Sequence, residues 1–250
     1  MFDPKDKSAV LIIGDEILSG KTQDTNSGWL ALQLGQLGLP VAEMRTVSDN
    51  RADIIEALNI LRQKYKYVFT TGGIGPTHDD ITADAVAAAF GVALPIHDDA
   101  RARLADYIGE ENLNEARLRM ARIPEGAILI NNSISAAPGF QIENVLVMAG
   151  VPHIMRAMFE GHKHHLVGGP PVLAKAVATR LKEGTIAARL EEIQNTFSSI
   201  SIGSYPTYRD GDTVTKLVAR GTDAVVLDQV ILNVRQMITD LGDRPIDMDS

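Results

Sequence analysis

Residues 65–84 read YKYVFTTGGIGPTHDDITAD. Tyr67-Val68-Phe69 favour extended backbone and run into a turn signal at Gly72-Gly73, so a short strand is expected to end there. Gly72, Gly73 and Gly75 can adopt positive φ or admit a ligand close to the main chain, and Pro76 stiffens the exit. The alanine-rich stretch Ile81–Phe90 then reads as a helix suited to close approach to a sheet. Exposed N–H groups of such a turn, together with the positive end of the helix, make a concavity for an anion. The charge of the stretch runs against this: Asp79, Asp80 and Asp84 set three carboxylates beside a phosphate cradle. A divalent cation held between carboxylates and phosphate reconciles the two. A purely local reading competes with it, in which Asp79 or Asp80 caps the helix and Asp84 compensates the charge of its first turn.

Outward from this stretch the chain alternates strands and helices. Ala9–Ile13 (AVLII) is a continuous apolar run, as in a parallel strand covered on both faces, and it delivers Gly14, Asp15 and Glu16 at its end. A polar loop through Asp24, Thr25 and Asn26 leads to a helix over 27–36, and Val41–Val47 is a second strand. Asn50 caps a helix carrying Ile54, Leu58 and Leu61, with Asp53 completing an approximate capping box. Helical pieces are expected over 98–108 and 113–122, then short strands over 127–131, 139–143 and 145–148, the last two antiparallel, and a helix over 154–159. This order predicts a layered α/β domain with a mixed sheet over residues 1–160. GHKHHLVGGPP (161–171) reads as a linker whose His162, His164 and His165 are solvated and lack carboxylate or thiolate partners nearby. Residues 172–242 read β-α-β-β-α, a smaller α+β unit. In it Thr185 caps a helix over 185–197, Asp210-Gly211 turns a hairpin with Arg209 and Asp212 at its tip, and the tail 243–250 is loose.

The formal net charge of −8 argues against a nonspecific nucleic-acid binder and against docking on anionic lipid. The absence of cysteine excludes disulfides, thiolate metal sites and cysteine nucleophiles. No span approaches the length of a membrane helix and no targeting segment is recognisable, so a soluble cytoplasmic protein is expected.

In a parallel sheet the ends of the first and third strands share one edge. Gly14, Asp15, Glu16, Asp24 and Asn26 are therefore expected near Thr71, Gly72, Gly73, Gly75, Thr77, Asp79, Asp80 and Thr82. So many carboxylates disfavour one another unless a cation intervenes. Water activated by such a cation, acting on a phosphate or pyrophosphate bond, is the most economical chemistry. No G-x-S-x-G elbow, Walker A loop or G-x-G-x-x-G fingerprint is present.

The motifs GDEILSG (14–20), DTNS (24–27), TVSDN (46–50), TTGGIGPTHDDIT (70–82), ARIPEGAILI (121–130), APGF (137–140) and GVP (150–152) resemble the MoaB/Mog-type molybdopterin-binding domain. The version they resemble is that of the competence/damage-inducible protein A (CinA) family, over residues 8–160. The resemblance implies a three-layer α/β/α sandwich with a mostly parallel mixed sheet, followed by an accessory α/β unit, without the deamidase domain of longer relatives. It implies metal-dependent hydrolysis (Mg, Mn or Co) of ADP-ribose, FAD or a related dinucleotide, or alternatively molybdopterin binding or non-catalytic nucleotide binding. By the same resemblance Gly72, Gly73 and Gly75, followed by Pro76 and Thr77, cradle phosphate. Asp79 and Asp80 act on the metal or water, with Asp84 beside them. Asp15, Glu16, Asp24 and Asn26 line the mouth, Thr71 holds the ligand, and Asn112 or Arg119 reaches it from the helical segment beyond. A homodimer or homotrimer is also implied. Two departures stand out: His78 occupies a position where the family often has proline, and Met148-Ala149-Gly150 replaces an expected Leu-Pro-Gly.

Overall fold

A computed structural model describes residues 3–209 and 212–248. The chain divides into two compact units, one ending at Gly169 and the next beginning at Pro170. The first contains β1 (Ser8–Ile13), α1 (Asp15–Leu18), α2 (Asn26–Gln36), β2 (Val41–Val47), α3 (Arg51–Lys64), β3 (Tyr67–Thr71), α4 (Thr82–Phe90), α5 (Asp98–Ile108), α6 (Glu115–Leu118), β4 (Ile128–Ile130), β5 (Gly139–Ile142), β6 (Val145–Met148) and α7 (Pro152–His162). Its sheet runs β2-β1-β3-β6-β5-β4. The first four strands are mutually parallel and the last two antiparallel, the mixed sheet expected.

Every residue of β1 is buried, because both faces of the sheet are covered. Ala9, Leu11 and Ile13 meet Ile54, Leu58 and Leu61 of α3 and Ala85 and Val86 of α4. Val10 and Ile12 face the other way, onto Leu30 and Leu34 of α2 and Met155 and Phe159 of α7. The result is a three-layer α/β/α sandwich.

Local signals set most element ends. Asn50 accepts the N–H groups of Ala52 at 2.9 Å and Asp53 at 3.4 Å. Asp53 does not close the capping box; its carboxylate takes the Ser48 hydroxyl at 2.7 Å. In place of one helix over 113–122, Asn114 caps the single turn of α6 and a 3-10 turn follows over Arg119–Ala121. Helix α7 starts at Pro152, whose missing N–H costs nothing at a first helical position, and continues through Gly161. The expected linker therefore begins as ordered helix: His162 is only 4% exposed, with Nε2 2.6 Å from Gln141 Oε1.

The second unit contains β7 (Leu173–Thr179), α8 (Glu183–Thr196), β8 (Ser201–Arg209), β9 (Asp212–Gly221), α9 (Ala224–Asp240) and β10 (Ile246–Asp247). Its antiparallel sheet runs β10-β7-β9-β8. Val177, Leu217 and Ala219 pack on Ile186 of α8 and on Leu227, Val230 and Val234 of α9. Helix α8 begins before Thr185, so that residue lies in the first turn and Lys182 holds the cap position. The tail is tethered instead of loose. Asp243 accepts the Thr179 hydroxyl at 2.6 Å and the Arg180 N–H at 2.7 Å, and β10 pairs with β7. The Asp210-Gly211 turn lies outside the described residues. Among those described, no helix is long and apolar enough to cross a membrane.

Strand β2 is an edge, and its side chains tie it to the end of α3. Glu43 accepts Lys64 Nζ at 2.9 Å, the Tyr65 hydroxyl at 2.7 Å and Arg45 Nε at 2.6 Å. These donors, Lys64 foremost and then Tyr65, pull its carboxyl down to about 2. A carboxyl with a depressed folded pKa stabilises fully above its unfolded pKa and loses that contribution as pH falls toward the folded one. Glu43→Gln is therefore expected to cost about 1 kcal/mol at neutral pH, allowing for solvent screening of a surface network. Urea denaturation should show that deficit at about pH 7 and little of it near about pH 2.

Candidate functional site

The sheet order makes β1 a switch point, since β2 and β3 flank it on opposite sides. The carboxyl ends of β1 and β3 therefore open a crevice. Past the end of β3, Gly72 and Gly73 take φ values of 109° and 65°. The Gly72 N–H extends the ladder to β6 by donating to the Met148 carbonyl at 3.2 Å. Thr82, at the start of α4, holds both glycine carbonyls: its hydroxyl donates to Gly72 at 2.9 Å and its N–H to Gly73 at 3.0 Å. A Cβ at residue 72 would strike the Ile13 carbonyl oxygen, and one at residue 73 the Thr82 hydroxyl. Asp80 closes the far limb, accepting the Thr77 N–H at 2.8 Å and its hydroxyl at 2.5 Å. Among the described residues, no protein acceptor takes the N–H of Gly73, Ile74 or Gly75. Ile81, at the N-cap of α4, brings no acceptor either.

This turn walls a cleft of about 490 Å³, a volume typical of small-molecule sites. Glu16 and Asp80 bring carboxylates to it, Asn132 reaches it from the loop between β4 and β5, and Met120, Ile154 and Met158 form an apolar flank. Next to the cleft, and sharing Glu16, Thr22, Gly150 and Pro152 with it, lies a smaller recess of about 60 Å³, walled also by Asp24, Asn26 and Thr71. Behind the turn, Asp84, Arg119 and Arg122 line a shallow groove. The second unit has its own opening of about 260 Å³ between α8 and α9. Its charges largely compensate one another there, with Arg189 3.8 Å from Asp240 and 3.9 Å from Glu192.

Acidic groups crowd the mouth. Asp49, just past β2, accepts the Asp15 N–H at 2.9 Å, and its own N–H lies 3.4 Å from Asp15 Oδ1. Burial pushes the Asp49 carboxyl above its ordinary value; the Asp15 amide opposes this, while the charges of Asp15, Glu16 and Asp79 add to it.

The structure brings together many of the expected residues and separates others. Glu16, Gly72, Gly73, Gly75 and Asp80 line the cleft, and Asp24, Asn26 and Thr71 the recess. Gly14 donates to the Val47 carbonyl at 3.2 Å and starts the short α1. Pro76 and Thr77 form the outer limb of the turn, and the Arg119 guanidinium reaches the Thr77 carbonyl at 3.4 Å. Asn112 is turned away, its amide donating to the Ile108 carbonyl at 2.7 Å. The three aspartates of the expected metal site face different partners: Asp79 lies 3.8 Å from exposed His78, Asp80 holds Thr77, and Asp84 pairs with Arg122. Among the described residues, no group of three His, Asp or Glu side chains that could hold a metal ion is found.

Sequence reasoning passed over Asp49, although it lies inside the TVSDN motif, because only the cap at Asn50 was read there. It also passed over Met120 and Asn132, which no local pattern marks. Asn132 shapes its loop by donating to Ser135 Oγ at 2.7 Å and the Ala137 carbonyl at 2.8 Å.

Fold and site together define a class: a doubly covered, mostly parallel α/β domain whose glycine turn opens at the sheet's switch point. Comparison with known proteins narrows it. The family described as "Probable molybdopterin binding domain" matches residues 9–168, and "FAD synthase, middle domain" matches residues 171–242. A protein of Pyrococcus furiosus is 34% identical over 235 residues, which are 84% of this chain and 93% of that one. A probable FAD synthase of Caenorhabditis elegans is 29% identical over 92% of this chain, which spans only 50% of that longer protein. The crystal structure of the protein CinA, of unknown function, from Thermoplasma acidophilum is 30% identical. It superposes with a TM-score of 0.63 over 65% of this chain and 99% of its own. The chain belongs to the MoaB/Mog-type molybdopterin-binding domain family, in its CinA-like branch, with a distinct second domain.

The crowding at Asp49 makes a stability prediction. A carboxyl whose folded pKa is raised contributes stability below its unfolded pKa and loses it as pH rises through the folded one. Asp49→Asn keeps an oxygen for the Asp15 N–H and removes the repelled charge. It is expected to raise stability by about 0.5 kcal/mol at neutral pH, the gain fading as the solution is acidified. Thermal melts of both proteins across the acid range measure it.

Proposed function

We propose that the cleft binds a phosphate-bearing small molecule of pterin or nucleotide type. The phosphate sits on the N–H groups of Gly73, Ile74 and Gly75, and the ring lies along Met120, Ile154 and Met158. The observation that carries this is the set of three consecutive N–H groups without protein acceptors, on residues that line a cleft ahead of a helix start. The family's description as a probable molybdopterin-binding domain supports the same ligand class. Thr82 and Asp80 are positioning residues in this reading, holding the turn open from behind and from its outer limb.

A second reading is hydrolysis of the pyrophosphate bond in ADP-ribose or FAD with Mg, Mn or Co present. The repulsion among Asp15, Glu16, Asp49 and Asp79 favours it, because a cation arriving with a phosphate ligand would relieve that repulsion. AMP release from either dinucleotide with any of these ions supports hydrolysis. Binding without release under all three leaves the protein a binder.

The binding reading is tested by calorimetry with inorganic pyrophosphate, AMP, FMN and molybdopterin. At least one should bind, and Gly75→Ala, whose Cβ would sit 2.6 Å from Asp80 Oδ2, should weaken it by about tenfold or more. A melting temperature close to the parent's would confine the change to the turn, since the atom displaced is the half-buried Asp80 carboxylate that accepts from Thr77. No binding by any probe, or equal binding by parent and variant, overturns the reading.

A further inference from the structure

Strand β2 is the outermost on its side of the first sheet and is bonded to β1 alone. The Gly14 N–H donates to the Val47 carbonyl at 3.2 Å, so Val47 turns its main chain toward β1. That direction alternates along a strand. Arg45 and Glu43 therefore also face β1, and Met44 and Thr46 turn their N–H and C=O groups to the open edge. The one irregularity of register lies opposite Ser8 and Ala9, before Glu43. Met44 is 45% exposed, and Ala42 and Thr46 on either side of it are exposed as well. Among the described residues, no other strand pairs with this edge.

An open edge is a template for another strand, and charged side chains along it ordinarily discourage pairing. Here the order of the charges does the reverse. The strand reads Val41-Ala42-Glu43-Met44-Arg45-Thr46-Val47. Reversed about Met44 it complements itself: Val41 meets Val47, Ala42 meets Thr46, and Glu43 meets Arg45. Met44 meets its own copy, with outward N–H and C=O groups that exchange two bonds as an antiparallel ladder requires. An axis one residue away sets Glu43 against Glu43 or Arg45 against Arg45, and like charges directly opposite are destabilising. The two ions also have capacity to spare. Arg45 spends Nε on its own Glu43 at 2.6 Å, and among the described residues no acceptor takes its Nη1 or Nη2. Lys64 and Tyr65 occupy Glu43 Oε2, leaving Oε1 with room for a second donor.

We infer that β2 pairs antiparallel with β2 of a second copy of this chain, about a twofold axis through Met44. The pairing joins the two six-stranded sheets into one. Met44 shares a face with Val10, its partner on β1, so the two methionines lie side by side on the α2 face. Both Glu43–Arg45 pairs close on the opposite face. The contact is isologous and closes on itself, so growth stops at two copies. Because the paired strands run in opposite directions, the two clefts open at opposite ends of the joined sheet. One strand pair is a small interface beside the roughly 800 Å² per partner of a standard one, so the dimer dissociates on dilution.

Sedimentation equilibrium over a dilution series tests this. The parent should pass from dimer to monomer as it is diluted. Arg45→Glu sets two acidic pairs across the axis and should weaken the dimer by about tenfold or more. Met44→Pro removes an N–H that bonds nothing within the chain and should act likewise. Position is read with cysteine, which the chain lacks. Oxidation with copper phenanthroline should join Met44→Cys to its own copy, because opposed residues of a hydrogen-bonded pair have Cα atoms about 5.5 Å apart, within disulfide reach. Ala42→Cys should not join itself but should join Thr46→Cys when the two are mixed. A parent that is monomeric at every concentration, or trimeric, overturns the inference. So does a dimer that Arg45→Glu leaves unchanged, or one in which Ala42→Cys joins itself as readily as Met44→Cys. If Met44→Pro fails to fold, Arg45→Glu and the cysteine pairs still decide the matter.

Discussion

The first unit depends on a backbone contact at the carboxyl ends of three parallel strands. The carbonyl oxygen of Ile13 occupies the position that a side chain on residue 72 would need, and a Cβ on Gly150 would lie 3.2 Å from Gly72 Cα. With no side chain to separate them, β1, β3 and the residues after β6 close to main-chain distance. This closeness lets the Gly72 N–H stay in the ladder while the next residue swings to positive φ and turns its successors toward the crevice. Two glycines lose extra backbone entropy in such a turn. The two bonds from Thr82 and the fully buried strands on either side offset that loss.

Two carboxyls in this unit show how environment separates structure from site. Glu43 has three donors around it and is drawn down to about 2, so its charge holds an edge strand to a helix. Asp49 is pushed the other way, first by burial and then by the charges of Asp15, Glu16 and Asp79, with only one amide donor against them. The second arrangement works against stability at neutral pH, where the carboxyl must carry its charge beside others of the same sign. The aspartates after the glycine turn divide in the same manner. Asp80 and Asp84 are occupied with Thr77 and Arg122, and only Asp79 adds to the field at Asp49.

How much of this was legible in the sequence follows from how local each feature is. The strand, turn and helix at 65–84 are consecutive, so glycine, β-branched and alanine patterns could report them directly. The convergence of Glu16 on Gly72–Gly75 followed from one topological rule, that neighbouring parallel strands share an edge. Met120 and Asn132 had no comparable signal, because they enter the cleft from segments whose position depends on the antiparallel pairing of β4 and β5. Helix ends were misplaced where a residue has two readings. Thr185 is a good cap that here sits inside a first turn, and Gly161 is a common stop that here is spanned because His162 beyond it is buried against Gln141. The tail was misread because its pairing is set from outside: Ile246 and Asp247, in a polar stretch with little strand preference of its own, pair because β7 offers them an open edge.

The cleft takes its walls from main chain and side chain in different measure. On the glycine turn the N–H groups of Gly73, Ile74 and Gly75 have no protein acceptor among the described residues, and the turn is held by the two Thr82 bonds and the Gly72 ladder bond. Elsewhere the lining is carried by side chains: the carboxylates of Glu16 and Asp80, the amide of Asn132, and the apolar Met120, Ile154 and Met158. The course of the turn is therefore set by the backbone contact between Ile13 and Gly72, which only a missing side chain allows. The rest of the lining comes from side chains outside the parallel strands, so sequence can change it without disturbing the sheet.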